Sequence, residues 1–329
     1  MKLRRTALAV LATGSIFLSG CANSGTPAAN NSSAASASHE PIVVENCGQT
    51  IKLDAPAQRI ATTEQGATET ILSLGGHDQL VGVAQPKDLY WERNANLAKD
   101  LKVFNQAPPT TELIRDVDAQ LVVSPFGRVF TKDKVGLREE YAQVGVGAWF
   151  SNMECAPADE DGYISLERDF EQLGKLIGRE AEAQKLIDDQ RKAISKATAT
   201  GKGQSTVYLY SVYDDAPYVA GGDKLTTNIA KITNTKNVFQ HLSGDWPQIS
   251  WEAFADADPD LIYLVDLPTR GHPGDTAKEK IEILKSNPAT RNMRAVREDK
   301  FISVPGVGLS ASSRSIEPLQ VIGAELAKF

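Results

Sequence analysis

Short runs of branched aliphatic residues alternate with helical stretches along most of the chain. Arg59-Ile60-Ala61-Thr62, Leu80-Val81-Gly82-Val83 and Leu121-Val122-Val123-Ser124 have the composition of buried strand cores. Between the first two, Ala67 to Leu74 reads as a helix stopped by Gly75-Gly76. A second series starts at Thr206 to Tyr210 and includes Leu261-Ile262-Tyr263-Leu264-Val265. Strands that alternate with helices predict mostly parallel sheets with helices on both faces, an α/β fold. Between the two series, Glu180 to Ala197 contains no Gly or Pro and places Ala183, Leu186, Ile187, Gln190, Ile194 and Ala197 near one face. This pattern predicts one long helix joining two α/β lobes. The implied divisions are an N-terminal lobe over 41–178, a linking helix over 179–199 and a C-terminal lobe over 200–329.

The first 40 residues follow a different pattern. Lys2, Arg4 and Arg5 precede a short apolar run, Ala7 to Leu18, well under the roughly 20 residues that span a bilayer. The run closes on Leu18-Ser19-Gly20-Cys21, which resembles a bacterial lipobox. The resemblance implies a lipoprotein signal peptide over 1–20, an acylated Cys21, and a mature chain held at the extracytoplasmic face of the cell membrane by lipid. Residues 21–40 are mostly Ala, Ser and Asn, with no aromatic or branched aliphatic residue after Cys21. Such a segment buries too little apolar surface to order itself and serves as a tether, reaching about 25 Å as a flexible coil.

Charge and cysteines narrow the class. The formal charge of −7 becomes −10 when the three cations of the signal are removed. That balance argues against nucleic acid and against a polybasic membrane patch. Cys47 and Cys155 remain as one pair, expected as a disulfide outside the cytoplasm, with two unpaired thiols as the alternative. Their spacing suits no Cys-based metal site.

The two lobes carry an internal echo. Glu112-Leu-Ile-Arg-Asp116-Val-Asp118-Ala-Gln-Leu121 recurs 140 positions later as Glu252-Ala-Phe-Ala-Asp256-Ala-Asp258-Pro-Asp-Leu261. Thr110 and Ser250 stand two positions ahead of the glutamates as candidate N-caps. Either two αβ turns are alike by chance, or each lobe shows a carboxylate at a corresponding surface point.

Further pieces are Asn46-Cys47-Gly48, Thr68-Glu69-Thr70-Ile71-Leu72-Ser73-Leu74-Gly75 and Pro217-Tyr218-Val219-Ala220-Gly221-Gly222. They are followed by Asn237-Val238-Phe239, Trp246-Pro247-Gln248-Ile249-Ser250-Trp251-Glu252 and Pro259-Asp260-Leu261-Ile262. In this order and spacing they resemble the substrate-binding lipoproteins of bacterial ABC importers. The resemblance is to the class with a rigid helical hinge that handles ferric siderophores, haem and cobalamin. It implies two Rossmann-like lobes with one ligand cleft between them. It also implies a monomer whose partners are a permease and, through it, an ATPase. Glu112 and Glu252 match the family's permease-docking glutamates.

The chain departs from relatives that bind bare metal ions through several His and carboxylates. It has only His39, His77, His241 and His272, none paired at helical spacing, so no metal site and no cofactor is expected. No Gly-x-Ser-x-Gly, His-Glu-x-x-His or Ser-x-x-Lys occurs, so no catalytic residues and no enzyme are expected. The runner-up class is a surface adhesin or interaction lipoprotein.

In open α/β sheets, ligands meet loops beyond the carboxyl ends of strands. Those loops are expected to present Gln65, Lys87, Tyr90, Trp91, Phe126, Arg128 and Trp149 from the first lobe. From the second they present Tyr213, Trp246, Arg270 and Arg314. Aromatic rings offer flat contact area and guanidinium groups meet anionic oxygens, a combination suited to a ferric siderophore. Haem or cobalamin is the alternative ligand. Arg128 and Arg314 are the cations expected at an anionic ligand, one from each lobe. A single linking helix implies that ligand moves the lobes by only a few degrees.

Overall fold

The structure, a computed structural model, describes residues 40–105, 108–222, 224–244 and 246–329. The expected signal peptide, Cys21 and nearly all of the tether lie outside the described residues. No described helix is long and apolar enough to cross a membrane.

The first lobe opens with an antiparallel hairpin, β1 (Ile42–Asn46) and β2 (Gln49–Leu53), turned by Cys47 and Gly48 at φ 47° and 79°. Five parallel strands follow: β3 (Ile60–Thr62), β4 (Leu80–Ala84), β5 (Val103–Asn105), β6 (Leu121–Ser124) and β7 (Gly147–Phe150). They lie in the order β5-β4-β3-β6-β7. The second lobe is built on β8 (Ser205–Tyr213), β9 (Ala216–Val219), β10 (Lys236–Asn237), β11 (Leu261–Asp266) and β12 (Phe301–Pro305). Its parallel order is β10-β8-β11-β12, with β9 antiparallel beside β8. The central strands β3, β6, β8 and β11 are mostly buried because helices cover both faces, which is why they read as unbroken apolar runs.

One expected position changes here. Trp149, read as a loop residue, lies within β7, paired in register with Val123 and 3% exposed. Its Nε1–H donates to Gln172 Oε1 (2.9 Å), so it is a core residue of the first lobe.

The chain passes between the lobes through the helix Glu180–Ala197, which buries Ala183, Leu186, Ile187, Gln190, Ala193 and Ala197. That helix does not stand alone. It packs on Gly162–Ile177 from the first lobe and on Ile316–Leu326 at the carboxyl terminus. Gly174 and Gly323 allow these close approaches, since a Cβ on either would lie 2.6 Å from Ala183 Cβ and 3.1 Å from Ala197 Cβ respectively. Across this layer one apolar cluster runs from Leu121 and Val123, through Leu173, Leu186 and Leu319, to Tyr208 and Tyr263. Polar ties cross as well: Asn228 Oδ1 accepts from the Gly162 N–H (2.6 Å), and the Tyr163 hydroxyl donates to the Ser315 carbonyl (3.1 Å).

The sequence echo corresponds to a repeated structure. The helices Thr111–Asp116 and Trp251–Asp256 are each capped by the preceding hydroxyl residue, Thr110 or Ser250, and each buries one apolar side chain, Ile114 or Phe254. Asp118 and Asp258 then take left-handed backbone conformations, φ 46° and 30°, and the chain enters β6 or β11.

Candidate functional site

A cleft of about 410 Å³ opens between the lobes. Its walls come from segments that follow the carboxyl ends of parallel strands. Glu64 comes after β3, Lys87 after β4, Phe126 and Arg128 after β6, and Met153 and Glu154 after β7. The opposing wall carries Tyr210 near the end of β8, Trp246 beyond β10, Leu267 after β11 and Val307 and Leu309 after β12. Parallel strands point their open carboxyl ends the same way, so two such sheets make one cavity where they face each other.

The first-lobe wall is charged and aromatic. Glu64 caps the helix Gln65–Ser73, with its carboxylate accepting from the Gly66 N–H (2.9 Å). The same carboxylate pairs with Lys87 Nζ at 3.0 Å. Lys87 also stands 5.5 Å from the Phe126 ring, and the Arg128 guanidinium lies 4.0 Å from the centre of that ring. Facing them, Tyr210 and Trp246 stack with centroids 4.4 Å apart and 21° between planes.

Of the expected ligand residues, Lys87, Phe126, Arg128 and Trp246 line this cleft. Others support it from behind. Gln65 is fully buried; its Oε1 accepts from the N–H groups of Lys87 (2.7 Å) and Asp88 (2.8 Å), which shapes the loop presenting Lys87. Arg270 donates to the hydroxyls of Tyr210 (2.7 Å) and Tyr213 and faces buried Asp275 at 3.6 Å, fixing Tyr210 in its stack. Tyr213 packs edge-on against Tyr218. Trp91 holds the Arg93 guanidinium over its ring at 4.0 Å, and its backbone N–H donates to Glu69. Burial, with Glu69 and Glu64 nearby, pushes the Tyr90 hydroxyl up to about 12.

Arg314 is the main correction. It is 6% exposed and absent from the cleft wall. Its guanidinium faces Glu69 (3.3 Å), Glu317 and Asp88 (3.9 Å) and donates to the Leu89 carbonyl (2.8 Å). Burial opposes its charge, but these carboxylates together hold its pKa above the usual guanidinium value. Glu69 and Leu89 belong to the first lobe and Arg314 to the second, so this arginine ties the lobes together. The Ser313 N–H donates to Thr70 Oγ1 (3.0 Å) across the same boundary.

Met153, Glu154 and Tyr210 line the cleft without having been selected from the sequence as ligand contacts. Tyr210 had a readable signal: with Tyr208 it falls on one face of β8, while Val207 and Leu209 pack in a separate cluster on the other. Glu154 sits beside the Cys47–Cys155 disulfide, which joins the hairpin turn to the turn after β7.

Glu112 and Glu252 stand exposed in the first turns of their short helices. Donation from its own backbone N–H and from Thr110 holds the Glu112 carboxyl below its ordinary value. Among the described residues no group of three or more His, Cys, Asp or Glu is placed to hold a metal ion.

The family of periplasmic binding proteins matches residues 60–307. The chain belongs to that family. Members are solute-binding proteins, and membership implies a small-molecule ligand, an ABC permease as partner and a place outside the cytoplasm. Solved structures of this fold include a periplasmic binding protein from Veillonella parvula, 22% identical with a TM-score of 0.76, covering 88% of this chain and 99% of that one. An ABC-type Fe3+-hydroxamate transport system from Saccharomonospora viridis is 20% identical, with a TM-score of 0.69 and coverage of 87% and 99%. A periplasmic haem-binding protein of Vibrio cholerae is 19% identical, with a TM-score of 0.61 and coverage of 82% and 99%. None of the curated proteins matches the chain.

Proposed function

We propose that this periplasmic binding protein captures a ferric siderophore and delivers it to its permease, tethered to the membrane by lipid on Cys21. The observation that carries the reading is the cleft itself. Its opposed aromatic surfaces, Phe126 on one lobe and the Tyr210–Trp246 stack on the other, supply flat contact area. Lys87 and Arg128 supply N–H donors for chelate oxygens at the same place. The Saccharomonospora viridis protein, named for ferric hydroxamate transport, shares the fold over nearly its whole length.

Ferric chelates are expected to quench tryptophan fluorescence at submicromolar concentration. Trp246→Phe should remove most of the response, because Trp246 is the tryptophan that lines the cleft. Silence across hydroxamate, catecholate and citrate chelates, with tight binding of haem or cobalamin, would sink the siderophore reading. Haem is the second reading, favoured by the likeness to the Vibrio cholerae protein and by the Tyr210 phenol in the cleft wall.

Delivery rests on Glu112 and Glu252. Each begins a helix that returns the chain to the start of a strand, so the two occupy equivalent places on the two lobes. Two anchors on one body engage a two-subunit permease together, and bivalency multiplies weak contacts. Changing both to Ala should leave ligand binding intact and impair uptake in cells. Normal uptake would leave them as helix-start residues only.

A further inference from the structure

The sequence suggested a cleft supplied with arginines for an anionic ligand. The geometry removes most of that positive charge. Arg314 is spent between the lobes on Glu69, Glu317 and Asp88, and Arg270 is turned toward Asp275 and two tyrosine hydroxyls. Among the described residues lining the cleft, the cations are Lys87 and Arg128 and the carboxylates are Glu64 and Glu154. Two charges of each sign balance among those described residues.

The balance is also local. Lys87 Nζ lies 3.0 Å from Glu64, whose side chain is only 2% exposed, so that carboxylate is fixed where it stands. Glu154 Oε2 accepts from the N–H of Gly127 (3.3 Å), which holds a second carboxylate at the turn carrying Arg128. The remaining wall is aromatic or aliphatic, with Phe126, Trp246 and Leu309 among its residues.

A chelate entering this space gives up hydration. A polyanion recovers that loss only from cations not already matched by carboxylates, and a balanced wall provides no surplus. The acidic body adds an unfavourable long-range field for anions. A near-neutral chelate avoids both penalties. Its metal-bound oxygens still accept hydrogen bonds from Lys87 and Arg128, and its apolar arms lie against the rings.

We infer that the cleft selects ferric chelates by charge, taking a near-neutral trihydroxamate-type complex and rejecting a trianionic tris-catecholate. This selectivity rests on the siderophore reading and narrows it to one chelate class.

Two probes test it by fluorescence titration: a neutral cyclic ferric trihydroxamate and the trianionic ferric complex of a tris-catechol trilactone. The hydroxamate complex should bind at least about a hundredfold more tightly. Glu64→Gln and Glu154→Gln, assayed separately, should each narrow that ratio by about tenfold, because each removes one negative charge from the wall. The amide oxygen introduced by Glu64→Gln can still accept from the Gly66 N–H at the helix start, and Glu154 is exposed, so two independent folded variants report. Equal or tighter binding of the tris-catecholate overturns the charge selection while leaving the siderophore reading in place. So does a ratio that neither variant moves. Failure of both ferric probes, with haem or cobalamin binding tightly, overturns the siderophore reading and the selectivity with it.

Discussion

Replacing Arg314 with Met should destabilise the protein by about 3–5 kcal/mol at pH 8 and by distinctly less at pH 5. The reason lies in its buried partner. Glu69 is fully buried, and its Oε2 has no hydrogen-bond partner, so the Arg314 guanidinium at Oε1 is its chief compensation. Burial pushes the Glu69 carboxyl up from 4.5 to about 7, against the opposing pull of Arg314, Gln65 and the Trp91 N–H. A carboxyl whose folded pKa is raised holds its proton more tightly in the native state. Its contribution to stability is therefore complete below about 4.5 and is lost as pH rises through about 7. At pH 5 the variant buries a neutral carboxyl and loses mainly packing and the bonds to Leu89 and Glu317. At pH 8 it must bury an unpaired carboxylate or take up a proton to avoid doing so. Urea denaturation at the two pH values measures the difference. Equal losses would mean that Glu69 does not depend on Arg314 for its charge.

Opening the Cys47–Cys155 disulfide, by Ser at both positions, should lower stability by about 2–5 kcal/mol while leaving ligand affinity within a few-fold of the parent. The bond spans 108 residues, so it restricts the unfolded chain over most of the first lobe. In the native state the same turn has other supports. Asn46 Nδ2 donates to the Phe150 carbonyl (2.8 Å), and Asp169 accepts from the Asn152 N–H (2.7 Å) and from Ser151. Those bonds keep Met153 and Glu154 in the cleft wall without the sulfur bridge. A denaturant midpoint that does not fall would contradict the entropic account. A collapse of affinity in a variant that still folds would show that the bridge, not the polar network, positions the wall.

What could be read from the chain followed from how completely each element is buried. The central strands β3, β6, β8 and β11 appear as apolar runs because both faces are covered, and the helix Glu180–Ala197 shows its buried face at regular steps. Edge and short strands carry weaker signals. β5 spans three residues and β10 two, and Gly147-Ala148-Trp149-Phe150 looks like a loop bearing an aromatic until its pairing with β6 is seen. The candidate site divides in the same way. Lys87, Phe126, Arg128 and Trp246 follow strand ends and line the cleft. Arg314 also follows a strand, but its carboxylate partners include Glu69 and Asp88, more than 200 residues earlier. Composition reveals that an arginine exists. It does not reveal which acid has already claimed it.

The glycine contacts in the helical layer bear on how fast capture happens. Gly174 and Gly323 bring neighbouring helices against Ala183 and Ala197 with no side chain between them, and one apolar cluster continues across the layer. Sliding these helices would open voids that nothing fills. The cleft is therefore expected to be largely assembled before any solute arrives, with no slow closing step in the encounter. Stopped-flow traces should be single-exponential, with a rate that climbs linearly with solute concentration and reaches no plateau. Differences in affinity among solutes would then reside in how quickly each one leaves.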